Sequence, residues 1–147
     1  MTARRPRALI VEDDPDLLVV LRINLHAAGF DIALAGDGRT ALSRIEAENP
    51  DVVLLDVMLP GIDGWEVLAE LHRRRHPAAV IVCSAKRNIE DMNRADELGA
   101  VAYLTKPFDI DRVIEAVSEA AGIRRTTDVV TESRPYAQLG LDGLDPA

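Results

Sequence analysis

Four places in this sequence set a chemically useful side chain where an apolar run stops. Glu12-Asp13 follows residues 8–11, Asp56 follows 52–55, Ser84 follows 78–83, and Lys106 comes just after 101–104. Apolar runs this short read as strands covered on both faces. In open α/β sheets, ligand chemistry gathers at the carboxyl ends of the strands. Asp56 is the centre of the pattern, because Val52-Val53-Leu54-Leu55 runs straight into it. The loop Val57-Met58-Leu59-Pro60-Gly61-Ile62-Asp63-Gly64 then carries turn chemistry. Taken alone, Asp56 is either a nucleophile or metal ligand, or a helix cap or solvated loop acid.

The chemistry follows if a parallel sheet brings these strand ends to one edge. Three carboxylates crowded together repel one another and resist full ionisation. A hard divalent cation relieves that repulsion, and oxygen ligands with room for water suit Mg²⁺. Lys106 adds a second positive charge and Ser84 a hydroxyl donor. Two cations, a donor and one free carboxylate oxygen describe a phosphoryl-transfer site. The carboxylate attacks, while metal and lysine offset the charge on the equatorial oxygens. The sequence holds no Gly-rich phosphate loop, so bound ATP is not the expected donor.

The elements that must position these residues alternate along the chain. Residues 8–11 form a first strand. Asp14 then caps a helix whose first residue is Pro15, with Leu17, Leu18, Leu21 and Leu25 at helical spacing and Gly29 at its close. Residues 31–35 alternate, with Ile32 and Leu34 on one side, as in a strand near a sheet edge. Gly36-Asp37-Gly38 is a turn. Ala41, Leu42 and Ile45 mark a second helix, broken at Asn49-Pro50 before the Asp56 strand. Trp65, Leu68 and Leu71 give a third helix, whose Arg73-Arg74-Arg75 end complements the helix dipole and which Pro77 terminates. A strand at 78–83, a polar helix at 89–98 stopped by Gly99, and a strand at 101–104 follow. Asp109 caps a last helix with Ile110, Val113, Ile114 and Val117 on its apolar face. Five strand–helix alternations predict a parallel sheet with helices on both faces, built from right-handed βαβ units.

Bulk composition narrows the function classes. The 147 residues suffice for one domain with a real core, and with 48% hydrophobic but only 3% aromatic residues that core is aliphatic. Lys+Arg total 17 against 25 Asp+Glu, a formal net charge of -8, which disfavours nonspecific binding to nucleic acid or an anionic membrane. The single Cys83 excludes an internal disulfide and fits a reducing cytoplasm. Arg4, Arg5 and Arg7 precede an apolar run too short for a signal peptide, and no stretch is long enough to span a membrane. His26, His72 and His76 lack ligand spacing and read as surface residues, Cys83 as a small buried residue, and Trp65 as packing at its helix start.

Taken together, Glu12-Asp13, Asp56 with Met58-Leu59-Pro60-Gly61 and Asp63-Gly64, Ser84-Ala85, and Tyr103-Leu104-Thr105-Lys106-Pro107-Phe108 resemble the CheY-like receiver domain of two-component response regulators. The resemblance covers residues 7–121 and leaves 122–147 as a flexible tail. It implies a doubly wound (βα)5 fold of flavodoxin-like strand order 2-1-3-4-5. It implies that Asp56 accepts a phosphoryl group from a sensor histidine kinase or phosphotransfer protein. Mg²⁺ would be held by Asp13, Asp56 and the main-chain carbonyl of Met58, with Glu12 acting through water. Lys106 would pair with the phosphoryl group, a cis bond to Pro107 helping to place it. Ser84 would swing to a phosphoryl oxygen and Tyr103 would then turn inward, changing the face of the fourth helix, fifth strand and fifth helix. Met58 and Lys86 would tune self-dephosphorylation. Ser84 as a turn cap and Tyr103 as plain packing are the alternatives from the residues themselves.

Output is less legible. The Met58-Leu59-Pro60 and Lys106-Pro107-Phe108 segments look like receivers of winged-helix transcription regulators, which dimerise through charged pairs on the fourth helix and fifth strand. Acids often precede the switch aromatic in that subgroup, whereas Val101 and Ala102 stand here. Both a stand-alone receiver and the receiver part of a larger regulator fit, with a phosphorylation-dependent homodimer as a further expectation and no nucleic-acid binding by these residues. An aspartyl phosphatase is the enzymatic rival, but Met58 stands where its general acid would be. In the tail, Val129, Val130, Tyr136, Leu139, Leu141 and Leu144 are candidates to dock on a partner or on the domain.

Overall fold

Strand β1 (Arg7–Val11) lies between β2 (Asp31–Ala35) and β3 (Val52–Asp56), and β4 (Ala79–Ser84) and β5 (Ala102–Thr105) continue the sheet, all neighbours parallel, in the order β2-β1-β3-β4-β5. This is a computed structural model, and it describes residues 4–59 and 61–125. Helices α1 (Pro15–Ala27), α2 (Gly38–Glu48), α3 (Gly64–Arg73), α4 (Ile89–Glu97) and α5 (Ile110–Arg125) alternate with the strands.

The sheet separates two apolar clusters. Leu9, Val11, Val53, Leu55, Val80, Val82 and Tyr103 face α2, α3 and α4, meeting Ala41, Ile45, Trp65, Leu68, Leu71 and Ala95. Ala8, Ile10, Val52, Leu54, Ile81, Cys83 and Leu104 face α1 and α5, meeting Leu21, Leu25, Val113 and Val117. Residues i and i+2 of a strand share a face, so β3, which reads as apolar without alternation, serves both clusters and is buried at every position. β2 sits at an edge, and Ile32 and Leu34 pack together on the α1–α5 side, as their alternation predicts.

Local signals set the helix starts. Asp14, Asp37, Asp63 and Asn88 each accept a backbone N–H of the first turn with a side-chain oxygen. Asp109 Oδ1 accepts the Asp111 N–H at 2.9 Å at the entry to α5. α5 continues to Arg125, past the boundary expected at residue 121. The reading of the remaining tail, and of Pro60 in the loop after β3, lies outside the described residues.

Candidate functional site

The parallel register delivers the ends of β1, β3, β4 and β5 to one edge. Glu12 leaves β1 with its N–H on the Ala35 carbonyl (3.0 Å), fixed beside the sheet. Asp56, the last residue of β3, stands opposite Cys83 in the ladder, and Ser84 stands opposite Thr105, one residue before Lys106. Glu12, Asp56 and Ser84 are the acids and hydroxyl of this edge, and all three are buried, at 3%, 4% and 1% exposure. Asp13 is exposed beside them.

One ammonium joins the buried acids. Lys106 Nζ donates to Glu12 Oε1 at 2.6 Å and to Asp56 Oδ2 at 3.1 Å. The other oxygens are also engaged: Glu12 Oε2 accepts the Asp14 N–H (3.2 Å) and Asp56 Oδ1 accepts the Met58 N–H (2.8 Å). Burial raises the Glu12 pKa above 4.5, and the Asp56 charge raises it further, against the lowering effect of Lys106. Burial pulls the Lys106 pKa down, but its bonds to Glu12 and Asp56 prevail and the net shift is upward. The Lys106–Pro107 peptide is cis.

Glu12, Asp13 and Asp56 each present a carboxylate oxygen within 4.8 Å of the others. Hard oxygen donors with one solvent-facing member match what Mg²⁺ requires, since that ion keeps several waters. The residues present therefore fit the ion.

The hydroxyl and the aromatic of the fourth and fifth strands are joined through main chain. Ser84 Oγ accepts the Lys86 N–H at 3.0 Å, and Tyr103 Oη donates to the Lys86 carbonyl at 2.6 Å. Tyr103 is fully buried, and that burial raises its pKa. The Tyr103 ring lies inward in this structure, as part of the α3–α4 cluster with its hydroxyl on a carbonyl partner. Lys86 enters through its backbone, a role its side-chain type does not announce. Met58 is 55% exposed, flanking the site. Cys83 is buried as expected, and burial pushes its thiol pKa upward.

Gly64 is a positioning residue of the site that the reading by residue type passes over as turn chemistry. A Cβ there would lie 2.3 Å from the Asp56 carbonyl oxygen and 2.3 Å from Val57 Cα. The start of α3 rests directly on the backbone that carries Asp56. The only signal in the sequence is a glycine just inside a capped helix. Thr105 Oγ1 is the one buried side-chain oxygen or nitrogen without a partner among the described residues.

Comparison with known proteins agrees with this geometry. A family model described as the response regulator receiver domain matches residues 8–118. The chain is 44% identical over 119 residues to the transcriptional activator protein IrlR of Burkholderia pseudomallei (strain 1026b), covering 81% of this chain and 50% of that protein. It is 39% identical over 141 residues to the alkaline phosphatase synthesis transcriptional regulatory protein PhoP of Bacillus subtilis (strain 168), covering 94% of this chain and 59% of that protein. The chain thus spans about half the length of the curated relatives it matches. The receiver domain of the Francisella response regulator 1452 superposes with a TM-score of 0.76 at 32% identity, over 80% of this chain and 97% of that one. A CheY-like receiver domain protein from Methanospirillum hungatei JF-1 gives 0.78 at 27% identity, over 84% and 98%.

Proposed function

The chain belongs to the response regulator receiver domain family, and from that premise we propose that Asp56 is its phosphoacceptor. A sensor histidine kinase or phosphotransfer protein supplies the group. A bond forms between an Asp56 carboxylate oxygen and phosphorus as the bond from phosphorus to the donor's nitrogen breaks. Glu12, Asp13 and Asp56, with the Met58 carbonyl, would hold Mg²⁺, which when bound supplies positive charge to the transferring group. Lys106, already between Glu12 and Asp56, can follow the charge onto the phosphoryl oxygens. Ser84 would exchange its bond from the Lys86 N–H for one to a phosphoryl oxygen. That exchange would alter the Lys86–Tyr103 link and, with it, the α4-β5-α5 face. Met58 and Lys86 flank the pocket and would set how fast water removes the group.

The observation that carries this reading is the single ammonium bridging Glu12 and Asp56, with Asp13 beside them. A small phosphodonor with Mg²⁺ should add one phosphoryl group, seen by intact mass, and Asp56→Asn should abolish the addition. Lys106→Ala should still take up the group but lose the change at α4. Uptake by Asp56→Asn at the parent rate would show that the acceptor lies elsewhere. The chain then acts as a switch without a separate substrate to turn over, and Met58 at the position of a phosphatase's general acid agrees.

A second reading concerns output. IrlR and PhoP are named as transcriptional regulators, and the chain spans only part of each. These residues would then be the receiver part of a winged-helix regulator, with the α4-β5-α5 face meeting the output domain or a second copy on phosphorylation. A cytoplasmic location accords with the free Cys83. No helix among the described residues is long and apolar enough to cross a membrane.

A further inference from the structure

Helix α4 is lightly anchored. Of its nine residues, IEDMNRADE, only Ala95 is buried. Met92, with Leu98 just past the helix, packs partly against the α3–α4 cluster. The rest of the helix is mostly charged, and Ile89 at its start is 64% exposed. A single added contact therefore counts for more here than in α3, which buries five residues.

One such contact exists. The guanidinium carbon of Arg94 lies 4.3 Å from the centroid of the Trp65 ring, within the range of a cation–π interaction. Trp65 is 8% exposed and follows Gly64, which rests on the Asp56 carbonyl and Val57 with no room for a Cβ. Gly64 N–H also reaches the Val57 carbonyl, at 3.3 Å. A displacement of the Asp56–Val57 backbone must therefore pass to Trp65, and the stack passes it to α4.

We propose that Arg94 is a positioning residue: its stack on Trp65 is a strut tying α4 to the backbone that bears Asp56. It is separate from the Ser84–Lys86–Tyr103 link: the two share no residue, and that link ends at Lys86, in the loop before α4 begins. The strut's signalling role rests on the reading of Asp56 as phosphoacceptor. Its existence does not.

The test uses the full chain without phosphodonor, following hydrogen exchange of the α4 amides. Arg94→Met keeps an unbranched apolar stem and removes the charge. It should speed exchange across residues 89–97 by about three- to tenfold, while β3 amides keep the parent rate. Arg94→Lys retains a cation and should stay near the parent. Adding Mg²⁺ with beryllofluoride should change Trp65 emission in the parent and change it less in Arg94→Met. Parent-like exchange in Arg94→Met, or equal acceleration in Arg94→Lys, overturns the strut. The exchange measurement should be unchanged by Asp56→Asn, so failure of the phosphoacceptor assignment and failure of the strut are read separately.

Discussion

Lys106 satisfies two buried carboxylates at once, and Glu12 is the one it holds at the shorter distance. Its oxygens are taken by Lys106 and by the Asp14 N–H, yet burial still raises its pKa. With the native pKa above the free value, the folded state holds its proton more tightly. The stability this group contributes is full below pH 4.5 and is lost as pH rises through the raised value. The same shift makes protons compete with a metal ion. Mg²⁺ binding should therefore weaken as pH falls, beginning above pH 4.5, and Glu12→Gln should flatten that dependence. Calorimetric titration with Mg²⁺ at several pH values measures it, and a slope unchanged in Glu12→Gln would assign the proton elsewhere.

Among the elements, α3 has the closest relation to the site. Asp63 caps it with Oδ1 on the Glu66 N–H at 3.0 Å, and Gly64 lets its first turn lie on the end of β3. Neither Asp56 nor Val57 backbone can retreat, since Asp56 ends a fully buried strand and the Val57 N–H is held by the Cys83 carbonyl at 3.2 Å. Gly64→Ala should destabilise the fold by about 3 kcal/mol in urea denaturation, at the upper end of overpacking costs. It should also slow phosphoryl uptake at Asp56. Loss of stability without slower uptake would mean that α3 yields and Asp56 does not move. The cap at α2 works differently, through charge. The Thr40 N–H and hydroxyl hold the Asp37 pKa below 3.8, so the stability this cap contributes is present above that value and is lost as pH falls through the lowered one.

For the molecule as a whole, the metal site and the fold are linked. The unfolded chain cannot hold Asp56 beside Glu12 and Asp13, because the pair follows β1 and Asp56 ends β3. Mg²⁺ should therefore stabilise the native state, by about 2.7 kcal/mol at a hundredfold excess over its dissociation constant. The melting temperature should rise with Mg²⁺ and fall again with a chelator. Asp13→Asn should remove most of the effect, with NaCl at matched ionic strength as the control for a chain of net charge -8. An equal rise in NaCl would mean general screening and no specific site.

The sequence by itself determined the order of elements, the strand that both helix layers cover, and the positions of Glu12, Asp13, Asp56, Ser84 and Lys106 at strand ends. These follow from local facts: the period of apolar residues, the caps at Asp14 and Asp109, and turn residues after each strand. Only the tertiary structure decided that Lys106 bridges Glu12 and Asp56, that Tyr103 lies inward on the Lys86 carbonyl, that Gly64 must lack a Cβ, and that Arg94 covers Trp65. Periodicity states which face of an element is buried, whereas each of these contacts joins separate elements, with Lys106 and Glu12 94 residues apart. Which side chain meets which depends on how helices settle on the twisted sheet, and no local signal carries that choice.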